Sequence, residues 1–148
     1  MTGVDLWTIV RFVHILGAAL WVGGQLALSL VILPLARRML SAEAREGFVG
    51  AAGRRFGLLT VALFVPVQVA TGVALAWRAG VTWESLAAPG YGRVLAAKLV
   101  LFAAVMLLAA AHGWAHGRGR RDLARALAVA ALVGSLGVVL LATALSGA

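Results

Sequence analysis

Four apolar stretches, each long enough to cross a bilayer and separated by arginine-bearing segments, constrain this chain more than any other feature. They run about Leu6–Leu35, Phe56–Trp77, Val94–Trp114 and Leu123–Leu145, and a helix needs roughly 20 apolar residues to span the hydrocarbon. Composition agrees: 63% of the residues are hydrophobic and 12% charged, with a mean hydropathy of +1.01. Soluble domains are about half apolar and about a quarter charged. A chain of 148 residues has room for one such unit. The expected fold is therefore all-α, an integral-membrane four-helix bundle in which residues 1–148 form a single transmembrane domain. The first stretch opens at Asp5 rather than on a basic region, and its apolar core is too long for a cleaved signal peptide.

The charge balance is basic, 13 Lys and Arg against 5 Asp and Glu, for a formal +8. In a soluble chain that would suggest nucleic acid. Here the arginines lie between apolar runs, where they orient helices and meet lipid headgroups, so the bilayer is the expected partner and nucleic acid is not. Arg37, Arg38, Arg45, Arg54 and Arg55 fall in the first connection, and Arg118, Arg120 and Arg121, with Arg125 just beyond, in the third. The second has only Arg78 and Arg93 at its edges. The positive-inside rule then puts the first and third connections in the cytoplasm and both termini outside, in a multi-pass protein of a bacterial-type inner membrane. Trp7, Trp77, Trp83 and Tyr91 belong to the outer aromatic belt and Trp114 to the inner one. Pro34 and Pro89 lie near helix ends, whereas Pro66 lies mid-helix, where a kink is expected unless neighbours satisfy the freed carbonyl. With no Cys in the chain, disulfides, thiolate metal sites, iron–sulfur clusters and c-type haem attachment are excluded.

Polar side chains are costly in hydrocarbon, so their positions are informative. In the first helix Arg11, His14, Trp21, Gln25 and Ser29 follow three- and four-residue steps and share a stripe about 80° wide. Thr60, Gln68, Thr71 and Arg78 do the same in the second, and Tyr91, Lys98, His112 and His116 in the third. The fourth has no ionisable group beyond Arg125; its Gly134, Ser135 and Gly137 read as close-packing positions.

Depth divides these groups into two layers. At about 1.5 Å per residue His14 lies about 12 Å in from the outer end and Lys98 about 9 Å in, with Gln68 and Thr71 at a similar level on the returning helix. His112 lies about 30 Å along the third helix, level with Gln25, so His14 and His112 are not expected to ligate one iron from opposite sides. The outer layer gathers Arg11, His14, Lys98 and Arg93, and no Asp or Glu lies within any apolar stretch. Such a cluster repels a further cation and suits a ligand with its own carboxylates. A porphyrin offers an apolar disc and propionates, and His14 is placed to take its iron axially. The pair His112 and His116 has the i, i+4 spacing of a metal site, beside Gly117-Arg118-Gly-Arg120, which equally reads as a polar helix end at the headgroups. Arg11 is also placed to snorkel, Trp21 with Gly23-Gly24 suits helix packing, and Gln25, Gln68 and Thr71 suit hydrogen bonding between helices.

The run His14-Ile-Leu-Gly-Ala-Ala-Leu-Trp21-Val-Gly23-Gly24, ending near Pro34, resembles the opening helix of copper resistance protein D (CopD) domains. Arg55-Phe56, Thr71-Gly72, and Tyr91-Gly92 followed by Lys98-Leu99 extend the likeness over nearly the whole chain. Lys98-Leu-Val-Leu through His112-Gly-Trp114 is also similar to the third helix of HemJ-type protoporphyrinogen oxidases. That resemblance implies a b-type haem ligated by His14, with Lys98 and Arg93 as basic catalytic partners; the polar stripes add Arg11, Trp21, Gln68 and Thr71 as expected cofactor contacts. The expected function is then electron transfer or porphyrin oxidation by a haem-dependent oxidoreductase, with a redox partner or a second copy of the chain as associates. The CopD resemblance implies copper transport or resistance instead, and a non-catalytic helper subunit of a membrane complex is the third reading.

Overall fold

A computed structural model describes residues 3–146, and among these every regular element is helical. They are α1 (Leu6–Ala27), a π-helical turn (Leu28–Ile32), α2 (Leu33–Met39), α3 (Ala42–Leu59), a second π turn (Thr60–Phe64), α4 (Val65–Arg78), a 3-10 turn (Ser85–Ala87), α5 (Tyr91–Gly117) and α6 (Arg121–Ser146). Joined end to end, they give four runs long and apolar enough to cross a membrane: Leu6–Met39, Ala42–Arg78, Tyr91–Gly117 and Arg121–Leu145. The chain divides into two compact units, Met1–Ala76 and Trp77–Ala148, each an antiparallel helical hairpin.

In the first hairpin Asp5 caps α1 by accepting from the Thr8 main-chain N–H and hydroxyl, both at 2.7 Å. Such a cap satisfies one of the orphan donors of the first turn. Pro34 and Pro66 do not stop their helices. Each lies two residues after a π turn, and the N–H just before it bonds five residues back, Leu33 to Leu28 and Val65 to Thr60. A proline ring clashes with the carbonyl four residues earlier. The extra residue in a π turn moves that carbonyl aside, so helical structure continues through Pro34 and Pro66.

The first connection is shorter than the apolar runs suggest. It is the turn at Leu40 and Ser41, where Ser41 accepts from the Ala44 N–H at 3.3 Å and starts α3. Arg45, Arg54 and Arg55 are therefore helical rather than in a loop, as are Arg37 and Arg38 in the last turn of α2. In the run Ala42–Leu59 the helix formers Ala, Glu and Arg outnumber its glycines, and its charged residues lower the hydropathy, so it forms the helical extension that hydropathy alone misses.

In the second hairpin Thr82 and Ser85 exchange hydrogen bonds reciprocally, main-chain N–H to hydroxyl, at 2.9 and 3.2 Å. Gly92 is buried so close to the Ser85 carbonyl that a Cβ would overlap it. The α5–α6 turn passes through Gly119 at φ 70°, a conformation that glycine adopts without strain. Small residues then let α5 and α6 approach. Val105, Ala115 and Ser135 are fully buried, a Cβ on Gly134 would meet Val105 at 2.5 Å, and one on Gly137 would meet Leu101 at 3.0 Å. This is how helices associate where lipid removes the hydrophobic drive. Leu20, Leu63, Leu107 and Leu140 are 60–72% exposed, as helices facing acyl chains require.

Candidate functional site

The seam between α1 and α4 brings His14, Gln68 and Thr71 together. His14 lies on α1 and meets residues of the returning helix at its own level. Its ring Nδ1 is 2.7 Å from the Thr71 hydroxyl. That hydroxyl has one proton, and it is directed along the helix to the Val67 carbonyl, 2.6 Å away. Thr71 Oγ1 therefore accepts from His14 and Nδ1 carries a proton, so in the neutral ring the lone pair is on Nε2. Gln68, 7% exposed, donates its side-chain N–H to the His14 main-chain carbonyl at 2.7 Å. Ring and backbone of His14 are thus both held from α4.

Two glycines make the seam possible. A Cβ on Gly72 would stand 3.3 Å from His14 Cε1, and one on Gly17 would stand 2.7 Å from Gln68 Nε2. Two turns further along α1, Trp21 is 6% exposed and stacks on Phe64 of the second π turn, with centroids 4.7 Å apart and planes 10° from parallel. Its indole N–H is fully buried and meets no acceptor among the described residues. An unsatisfied donor in an apolar interior is costly and calls for a partner. Arg11, one turn before His14, is exposed.

The second hairpin contains the remaining candidates. Lys98 is half-buried on α5. Arg93 is exposed, and its Nε donates to the Ala87 carbonyl at 3.3 Å, which ties it to the 3-10 turn just before α5. His112 donates from Nδ1 to the Ala124 carbonyl of α6 at 2.8 Å. His116 is exposed, with its ring centroid 6.3 Å from that of His112. Among the described residues no three His, Cys, Asp or Glu side chains group as a metal site. Arg118 and Arg120 place their guanidinium carbons 5.2 and 5.5 Å from the Trp114 ring centre, a cation–π arrangement at the helix end.

Sequence periodicity singles out His14, Trp21, Gln68 and Thr71, and the fold gathers them along one seam. It misses Phe64, which is indistinguishable from its apolar neighbours until the π turn sets it over Trp21. It also misses Gly17 and Gly72 as clearances. Their signal is a small residue three positions after His14 and another next to Thr71. The Ala124 carbonyl that engages His112 has no side-chain signature. No family model, curated protein or solved structure matches this chain.

Proposed function

We propose that this membrane protein holds a b-type haem, or a related porphyrin, through His14 in the outer half of its helices, for electron transfer or porphyrin oxidation. The observation that carries the reading is the His14 ring itself. Its Nδ1 proton is committed to a hydroxyl whose own proton is committed elsewhere, and this sets Nε2 as the basic nitrogen that an iron takes. Metal-binding imidazoles are characteristically fixed in this way through their other nitrogen. The donor set of this hairpin also suits an anionic macrocycle: the His14 imidazole, the buried indole N–H of Trp21, and Arg11 as a cation for a carboxylate. When bound, haem supplies one-electron chemistry.

The chain's own residues hold and tune. Thr71 fixes the tautomer, Gln68 fixes the backbone behind the ring, and the glycines keep both in register. In this reading both termini face outward and the arginine-rich ends of the helices face the cytoplasm of a bacterial-type inner membrane, following the asymmetry of Arg37, Arg38, Arg45, Arg54, Arg55, Arg118, Arg120, Arg121 and Arg125.

The test is the absorption spectrum and metal content of the full chain purified in mild detergent. A Soret band that is lost in His14→Ala supports the reading. A colourless sample containing copper overturns it in favour of copper transport, and a sample with neither overturns it in favour of a helper subunit.

A further inference from the structure

The two arms of the first hairpin are mismatched in apolar length. At about 1.5 Å per residue, the apolar run Leu6–Leu35 covers about 45 Å, whereas Phe56–Trp77 on the returning arm covers about 33 Å. The hydrocarbon core is about 30 Å thick. The final apolar turns of the first arm therefore stand opposite the charged part of α3, with Glu43, Arg45, Glu46, Arg54 and Arg55. Leu30, Val31 and Leu35 remain 50–68% exposed there.

At this boundary the hairpin has a groove of about 310 Å³. One wall is the row Gly24, Leu28 and Ile32, at four-residue steps along α1 and its π turn, and the other includes Ala52, Phe56 and Leu59 of α3. Small residues hollow it, since a Cβ on Gly24 would stand only 2.7 Å from the Phe56 ring. Its one charged lining residue is Arg55, which is exposed. Arg54 does not duplicate it, because its guanidinium lies back along α3, 3.4 Å from where a Gly50 Cβ would be.

From the groove and its single cation we infer that the first hairpin binds one anionic phospholipid, with an acyl chain along Gly24, Leu28 and Ile32 and the phosphate on Arg55. A guanidinium suits phosphate in both geometry and charge. An acyl chain also matches the walls of the groove, which are apolar apart from Arg55. This inference does not depend on the haem reading.

Native mass spectrometry of the full chain, released from vesicles containing equal phosphatidylglycerol and phosphatidylcholine, tests it. One phosphatidylglycerol should be retained per chain, with phosphatidylcholine displaced. Arg55→Gln should lower retention about tenfold or more, as expected for loss of a charge-assisted contact. Ala52→Phe, which fills the groove and leaves the charge, should lower it comparably, while Arg38→Gln, which removes the same charge elsewhere on the hairpin, should not. Circular dichroism of each variant confirms the fold. Equal retention by Arg55→Gln and Arg38→Gln, or equal retention of phosphatidylcholine, overturns the inference. So does Ala52→Phe binding like the parent, or displacement of the lipid by inorganic phosphate, which marks a bare anion site.

Discussion

The side-chain amide of Gln68 donates to the main-chain carbonyl of His14 across 2.7 Å, joining two residues 54 positions apart. A carbonyl within a helix already accepts from the N–H four residues later, so the amide uses its second lone pair and leaves the helix intact. The bond locks the level of α4 against α1, and that same level sets Thr71 opposite the His14 ring.

Gly17 and Gly23 should therefore respond in opposite ways to alanine. At Gly17 the new methyl meets the Gln68 amide, while at Gly23 it meets nothing within 4 Å. Gly17→Ala should lower stability by about 1 kcal/mol as the hydrogen bond is displaced. Gly23→Ala should be neutral or raise it by up to about 1 kcal/mol from helix propensity. Equilibrium unfolding in mixed detergent micelles measures both.

Close packing in the second hairpin gives a parallel case. Gly134→Leu forces a side chain into space occupied by Val105, which is fully buried. Overpacking of this kind typically costs about 1–3 kcal/mol. Val133→Leu, on an exposed position of the same helix, should change stability little. Thermal unfolding of the two variants should separate them clearly.

Much of this arrangement is legible in the sequence because hydrocarbon enforces it. Polar residues that cannot face lipid must share a stripe, so the three- and four-residue steps from Arg11 to Ser29 and from Thr60 to Arg78 mark the inward faces. Counting 1.5 Å per residue then sets Gln68 and Thr71 level with His14, and the hydrogen bonds show them there. Helix ends are less legible. Ala42–Leu59 is helical without being apolar, so hydropathy cuts α3 short at Phe56 and assigns Arg45, Arg54 and Arg55 to a loop. The π turns are not legible at all. Pro34 and Pro66 identify where a carbonyl loses its donor, but not that a π turn precedes each of them.

Orientation has a clean test because the chain contains no cysteine. Glu43→Cys and Glu84→Cys each introduce a single thiol at an exposed position, one on α3 and one in the connection before α5. With the arginine-rich ends in the cytoplasm, an impermeant maleimide should label Glu84→Cys in intact cells and Glu43→Cys only after lysis. The reverse pattern contradicts the proposed topology.

Thr71→Val tests the role given to the hydroxyl. Removing it leaves the His14 Nδ1 proton without its acceptor on α4 and should permit both ring tautomers. Nitrogen-15 NMR of the apoprotein should show a single Nδ1–H tautomer for His14 in the parent and a mixture in the variant. The haem-bound variant should retain a Soret band but with weaker binding, about tenfold, as metal sites lose when the partner of a ligating imidazole is removed.

Arg11→Met addresses the cation on the hairpin of His14. With the imidazole untouched, the band should keep its position while affinity falls, about tenfold or more for a charge-assisted contact to a carboxylate. Titration of the apoprotein with haem provides the comparison. A shifted band with unchanged affinity contradicts a propionate partner.

The most direct measurement is the absorption spectrum of His14→Ala beside that of His116→Ala, both purified as the full chain. Alanine is a good helix former, and insertion is driven by the apolar run rather than by one imidazole, so both variants should insert and fold. His14→Ala should lose or strongly shift the Soret band, and His116→Ala should keep the parent spectrum. A parent-like band in His14→Ala, or its loss in His116→Ala, contradicts ligation by His14.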